Sequence, residues 1–180
     1  MVWAMMNEPQ YKAIRELTTG KRSERVVAIV GGAILDQSLR IALELRFRPT
    51  EGKSDINKKL FDVGNSLGNL GPKIDLGFQL YMYDEAFRNT AHGLCKIRNS
   101  FAHDLDMHFE SKNKDFIRAF GKLTLHINQT HYMQIFGPEA KKHKIEKIKR
   151  KSDVFVVNLK MCLLWLMADR AKHAPWTNER

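Results

Sequence analysis

Three polar residues near the middle of the chain, Arg98, Asn99 and His103, have the types and spacing that phosphoryl chemistry needs. An imidazole exchanges protons near neutral pH, and a permanently charged guanidinium stabilises negative charge on a phosphate. Together they could move the proton of an RNA 2′-hydroxyl or of a leaving oxygen without a metal ion. Asn99 and His103 are four positions apart, so on a helix the amide would lie beside the imidazole and could orient it.

The spacing of Arg98 and His103 does not decide whether their side chains lie close together. On an ideal helix Arg98 and His103 point about 140° apart. They converge if the helix ends or bends near His103, or if the long arginine side chain reaches round. A structural role stays open beside the catalytic one: Arg98 could join helices through Asp36 or Asp104, and His103 could stabilise a helix end.

The elements that must position this motif are predicted to be helices. Asp84 is the expected N-cap of the helix that carries it. The apolar stripe of that helix follows helical spacing and consists of Phe87, Ala91, Leu94, Ile97 and Phe101. A long first helix is predicted to start at Ser23, and its Gly31-Gly32 pair either weakens the middle or admits a neighbouring helix.

The rest of the chain also reads as mainly helical. Short helices are predicted up to Phe61 and over 73–81, with a glycine-rich loop between them that lacks the spacing of a phosphate-binding loop. A further helix is expected over 114–123. The last helix is expected to run to Lys172, with Asp153 as its cap.

These elements add up to one domain. Residues 124–136 fit either a short strand or irregular structure. The sequence therefore predicts a single all-α domain over 1–180, a bundle of about four main helices plus short helices. A variable basic segment is expected within it at about 105–152.

Composition limits the partners and the compartment. The 180 residues include 30 Lys and Arg against 20 Asp and Glu, and this net charge of +10 favours RNA or an acidic protein as partner. Two cysteines, Cys95 and Cys162, cannot form a disulfide framework, so a reducing, cytoplasmic location is expected. The most apolar stretch, 154–168, is shorter than a membrane span, and no membrane association is expected.

Two further features have alternative interpretations. His92 and Cys95 lie one turn apart but lack a second ligand pair, so we expect no metal and no cofactor. A basic run could meet phosphates by counterion release, or it could be a solvated segment without a partner. It consists of Lys141, Lys142, Lys144, Lys147, Lys149, Arg150 and Lys151. Since no aromatic residue lies among these lysines, base stacking there is not supported.

The motif Arg98, Asn99, His103 resembles that of the HEPN superfamily, in which Arg is followed by four to six residues and His, with Asn common just after the Arg. The resemblance implies an α-helical bundle and a dimer that brings two motifs into one cleft. In active members, often toxins or phage-defence effectors, it implies RNA cleavage without metal. Many relatives keep the motif and bind RNA or partners without cleavage.

A longer stretch, 33–104, is similar to the mannitol operon repressor family. The similarity lies in AILDQSLRIALELRF, in LGNLGPKIDLGFQLYMYDEAF and in IRNSFAHDL. It implies a helical, dimeric, cytoplasmic regulator that acts through protein partners and lacks a helix-turn-helix. Asp36 would be the acidic position that members carry in the first long helix.

The sequence therefore leaves three functions open. The first is an RNA-binding or RNA-cleaving HEPN-like homodimer, with His103 as acid and base, Arg98 on the phosphate and Asn99 orienting the imidazole. Asp36 would support them from the first long helix. The alternative is a non-enzymatic transcriptional regulator that holds a protein partner, and the third is a nucleic-acid-binding module centred on 141–151.

Overall fold

The computed structural model describes residues 23–47, 56–127 and 150–173. Within these ranges the chain forms six α-helices, one short 3-10 helix and no strand, which confirms the predicted all-α class. The α-helices are α1 (Glu24–Glu44), α2 (Ile56–Phe61), α3 (Leu70–Gln79), α4 (Glu85–His103), α5 (Lys114–Phe120) and α6 (Lys151–His173), and the 3-10 helix is Leu125–Ile127.

Helices α1 and α4 start where the sequence predicts, and α4 carries the candidate motif. The Ser23 side chain accepts a hydrogen bond from the Val26 amide at the start of α1. At the start of α4 the Asp84 carboxylate accepts one from the Phe87 amide, at 2.9 Å. Each cap satisfies an amide that has no partner within its own helix, so both predicted N-caps are confirmed.

Several other boundaries differ from the predictions. α3 begins at Leu70 rather than at residue 73, because Pro72 is tolerated in the first turn of a helix. α5 ends at Phe120 instead of continuing to residue 123. The prediction of Asp153 as the cap of α6 is wrong: α6 begins at Lys151, and the Asp153 carboxylate lies in its first turn, where it favours the helix dipole.

α1 packs closely between two other helices. A Cβ added to Gly31 would lie 2.9 Å from Leu159 Cδ2 of α6. A Cβ added to Gly32 would lie 2.5 Å from Arg98 Cγ of α4. Both distances are shorter than a normal carbon–carbon contact, so the two glycines admit neighbouring helices, as one of the two interpretations of the pair predicted.

The core includes part of the segment that the sequence marks as variable. Phe109 and Phe116 are buried, and their rings lie beside Phe101 of α4 and Phe155 of α6. The Phe101 and Phe109 ring centroids are 4.9 Å apart. Residues 105–127 therefore belong to the bundle, while 128–149 lie outside the described residues.

Buried polar groups fasten the helices to one another. Arg46, just after α1, donates two hydrogen bonds to Asp169 of α6, at 2.6 and 2.7 Å. Asn158 of α6 is fully buried and donates to His126 of the 3-10 helix and to the Val154 carbonyl, at 2.8 Å each. Paired in this way, these groups do not carry the cost of an unsatisfied polar atom.

Among the described helices, α1 has the length and apolar character of a membrane-spanning segment, with a mean hydropathy of 1.7 over its best window. Half of that window is buried inside the bundle, as in the core helix of a globular domain. The absence of membrane association therefore stays a prediction.

We expect Gly31→Val to destabilise the fold. The new side chain would overlap Leu159 and Phe155, both buried, and overpacking of this kind costs about 1–3 kcal/mol. The free energy of unfolding from urea titration measures the effect. Ala33→Val is the matched control, since it adds a β-branched side chain at an exposed position of the same helix. Equal losses for the two variants would contradict the close packing of α1 on α6.

Candidate functional site

The candidate site lies in the last turns of α4, where the side chains of Arg98 and Asn99 are joined. The Arg98 Nη1 group donates a hydrogen bond to Asn99 Oδ1, at 2.9 Å. The stem of Arg98 lies against Gly32 of α1. A Cβ at residue 32 would displace this stem, because it would lie 2.5 Å from Arg98 Cγ. The helix contact thus fixes the path of the side chain, and the amide of Asn99 fixes its charged end.

A groove of about 620 Å³ runs between α4 and α5, and two of the motif residues line it. Its lining residues are Lys96, Asn99, Ser100, His103, Asp104, Met107, Asn113, Asp115, Arg118, Ala119 and Lys122. Arg98 is not part of this lining, but it is bonded to Asn99, which is. The structure therefore brings Asn99 and His103 to one groove and places Arg98 next to it, on the side of Asn99 that faces α1.

His103 is the last residue of α4 and is exposed. In the described part of the chain its ring makes no hydrogen bond with another residue. An imidazole of this kind is available to a bound molecule, and its place in the last turn of α4 also fits the helix-end role that the sequence left open. The geometry thus leaves a proton-exchanging group open toward the groove.

Asp36 pairs with Lys73 of α3 and not with Arg98. Its Oδ1 accepts a hydrogen bond from Lys73 Nζ of α3, at 2.7 Å. The Lys73 side chain is 3% exposed, so its ammonium depends on this carboxylate for neutralisation. Among the described residues Arg98 forms no ion pair with Asp36 or with Asp104, so the alternative in which Arg98 joins helices through one of these acids is not what the structure shows.

A residue that the sequence analysis did not consider holds the end of α4. The Arg25 guanidinium, from the first turn of α1, donates to the carbonyl oxygens of Phe101, Asp104 and Leu105, the last two at 2.6 Å. These carbonyls would otherwise lack partners at the helix end. No short-range pattern indicates this contact, because Arg25 and Phe101 are 76 positions apart in the chain.

The neighbouring carboxylate strengthens this attachment. Glu24 accepts a hydrogen bond from the Phe109 amide through Oε2, at 2.7 Å. Glu24 and Arg25 together fix both the end of α4 and the turn that follows it. The backbone that carries His103 is therefore held by α1 and not by α4 alone.

The basic run lies mostly outside the described residues, which include only Arg150 and Lys151 of its members. Arg150 lies 3.2 Å from the Asp153 carboxylate, and Lys151 lies 3.1 Å from that of Glu110. These two cations are thus partly neutralised within the chain. Nucleic-acid binding by Lys141, Lys142, Lys144, Lys147 and Lys149 stays a prediction.

His92 and Cys95 do not form part of a metal cluster in the described residues, where no group of three potential ligands occurs. His92 Nε2 lies 3.0 Å from Asp75 Oδ1, and Arg88 binds the same oxygen. The hydrogen bond from His92, with the one from Arg88, lowers the pKa of Asp75. Burial raises the pKa of the Cys95 thiol although Arg98 opposes it, so a thiolate nucleophile is disfavoured.

No protein-family model, no curated protein and no solved structure matches this chain.

We expect Asp36→Asn to destabilise the fold by about 2 kcal/mol, because it leaves the buried Lys73 ammonium without a counter-charge; the partial exposure of Asp36 keeps the loss below that of a fully buried pair. Urea unfolding measures the loss. Lys73→Met, added to Asp36→Asn, should recover part of it, because no buried charge then remains. No loss in the single variant, or no recovery in the double, would contradict the pairing.

We expect Arg25→Ala to loosen the end of α4. Loss of the charged hydrogen bonds should raise amide hydrogen exchange at Asp104, whose amide bonds to Ser100, by about tenfold or more. Arg40→Ala is the control, since its guanidinium lies 2.8 Å from Glu44 within α1. Unchanged exchange in Arg25→Ala would contradict the attachment of this helix end to α1.

Proposed function

We propose that the chain is an HEPN-like, RNA-binding protein that cleaves RNA without a metal ion. The observation that carries this proposal is the Arg98–Asn99 hydrogen bond beside a groove that His103 also lines. A guanidinium and the amide that binds it thus lie beside a concave surface that an unengaged imidazole also lines. These groups are the ones that transfer of a phosphoryl centre requires.

The reaction assigns one task to each group. The imidazole of His103 accepts the proton of an RNA 2′-hydroxyl, and the 2′-oxygen then attacks the adjacent phosphorus. The bond to the 5′-oxygen breaks, and that oxygen takes a proton from an imidazolium or from water. The products are a 2′,3′-cyclic phosphate and a 5′-hydroxyl, while Arg98 stabilises the added negative charge on the phosphate oxygens.

Asn99 and Asp36 serve this site less directly. Asn99 binds the Arg98 guanidinium and lines the groove with His103, so it holds the guanidinium beside that groove. Asp36 neutralises Lys73 where α1 meets α3, and its support of the site is through the packing of α1. Both are positioning residues in the proposed mechanism.

We also propose a homodimer in a reducing, cytoplasmic setting. Leu105 and Ile117 are 85% and 52% exposed, and each follows or precedes a residue that lines the groove. Burial of apolar side chains of this kind favours association. Cys95 and Cys162 are free thiols, which fits a reducing compartment.

We expect His103→Ala to lower the rate of RNA cleavage at least about 100-fold, because the variant lacks the group that moves the proton. Cleavage of a labelled single-stranded RNA is measured in the presence of EDTA, which should not reduce the wild-type rate. His108→Ala is the matched control, since His108 is also exposed and lies in the turn after α4 but does not line the groove. Arg98→Ala should lose activity as well, and Arg98→Lys should lose less.

Circular dichroism and thermal unfolding show whether each variant is folded. Equal cleavage by folded His103→Ala would contradict the mechanism, and so would loss of the wild-type rate in EDTA. Absence of cleavage by the wild-type chain, together with recovery of a specific protein partner, would instead favour the regulator that the mannitol operon repressor resemblance implies.

A further inference from the structure

The groove between α4 and α5 has two different ends. α5 runs back along α4, since a Cβ on Gly93 would lie 3.1 Å from Lys122 Cβ and 2.7 Å from the Ala119 carbonyl oxygen. Lys122 therefore lies near the middle of α4, and Asp115, in the first turn of α5, lies toward the His103 end. Lys96 precedes His103 by seven positions, which is about 10 Å along a helix.

The end away from His103 carries positive charge without a counter-charge. Lys96 is exposed and Lys122 is half-buried, and within the described residues neither side chain forms an ion pair. The Lys122 backbone is held in place, because its carbonyl accepts a hydrogen bond from Thr90 Oγ1 at 3.0 Å. Two unneutralised ammonium groups in one concave surface create a positive potential that concentrates anions.

The acidic residues of the groove are engaged at the other end. Asp115 lies 3.5 Å from the Arg118 guanidinium, in an exposed pair. Asp104 accepts a hydrogen bond from the Asp106 amide, at 3.0 Å. The carboxylates therefore do not neutralise Lys96 and Lys122, and the groove has one cationic end and one end with the proton-exchanging group.

The lining also indicates which part of a nucleic acid would bind. It includes no Phe, Tyr or Trp side chain on which a base could stack. The two lysines are therefore suited to phosphates, with little preference among bases. A groove of about 620 Å³ between two packed helices accommodates part of one strand, whereas duplex RNA is contacted across its wide, shallow minor groove.

We infer that Lys96 and Lys122 form a binding site for the phosphate backbone of single-stranded RNA, at phosphates other than the one that reacts. The inference rests on the proposed function for the identity of the nucleic acid. It adds that the bound strand runs along the side of the groove that α5 forms. The α4 motif would act on a strand that these two lysines hold in the groove.

The experiment measures affinity as a function of salt. A 5′-labelled single-stranded 2′-O-methyl oligonucleotide is the probe, because it has no 2′-hydroxyl to react, and fluorescence anisotropy gives Kd at a series of KCl concentrations. Each phosphate contact contributes about −0.7 to the slope of log affinity against log salt for a single strand. We expect Lys96→Gln with Lys122→Gln to reduce the magnitude of that slope by about 1.4.

The matched control is Lys112→Gln with Lys114→Gln. It removes the same charge from two exposed residues that precede or begin α5 and do not line the groove. Its slope should stay close to that of the wild type. On cleavable RNA, the groove variant should show a raised KM with a nearly unchanged maximal rate, because His103 and Arg98 are intact.

Each outcome separates this inference from the proposed cleavage. A reduced slope in the groove variant alone supports the site, even if the wild-type chain does not cut RNA. Equal slopes in the two double variants overturn the site, even if the wild-type chain cuts RNA. Tighter binding of duplex RNA, or displacement of the probe by poly-glutamate at a matched charge concentration, would also overturn it.

Discussion

The contact of Gly32 with Arg98 is the constraint on which the arrangement of the site depends. Arg98 starts from a position on α4 that faces α1 and the core, and an ordinary side chain on α1 would push it outward. Because residue 32 has no Cβ, the arginine stem lies flat between the helices and its charged end emerges beside Asn99. The Gly31 contact with α6 sets how closely α1 packs into the bundle, and thereby where the Arg98 guanidinium lies.

The charged side chains between the helices are paired differently from those in the groove. Where α1 meets other helices, buried or half-buried cations are paired: Lys73 with Asp36 and Arg46 with Asp169. An unpaired charge in those places would be costly, so the acids there serve stability. The groove is more exposed, and there Lys96 forms no ion pair with any residue in the described ranges, at little cost because water solvates its ammonium group.

Much of the fold could be predicted from the sequence, because local signals determine it. Ser23 and Asp84 are caps by chemistry that acts within one turn, and the stripe of α4 follows from helical spacing. Asp153 misled the prediction because a carboxylate is also favourable inside the first turn, so residue type alone does not identify the cap.

The site could be predicted less completely, because its partners are distant in the chain. Arg98, Asn99 and His103 were recognisable from their spacing, but not which of them would face a groove. The pairing of Asp36 with Lys73 joins α1 to α3, and the wall that α5 provides depends on how 105–127 folds back. Such contacts depend on tertiary packing, and no short-range pattern encodes them.

Arg25 shows how the fold makes a short motif usable. A helix that ends in solvent frays, and an imidazole on its last residue would share that motion. Here three carbonyls around the end of α4 bind one guanidinium from α1, so the backbone at His103 is fixed while its ring stays free. The attachment therefore fixes the backbone from which the His103 ring projects, although the ring itself makes no hydrogen bond with another described residue.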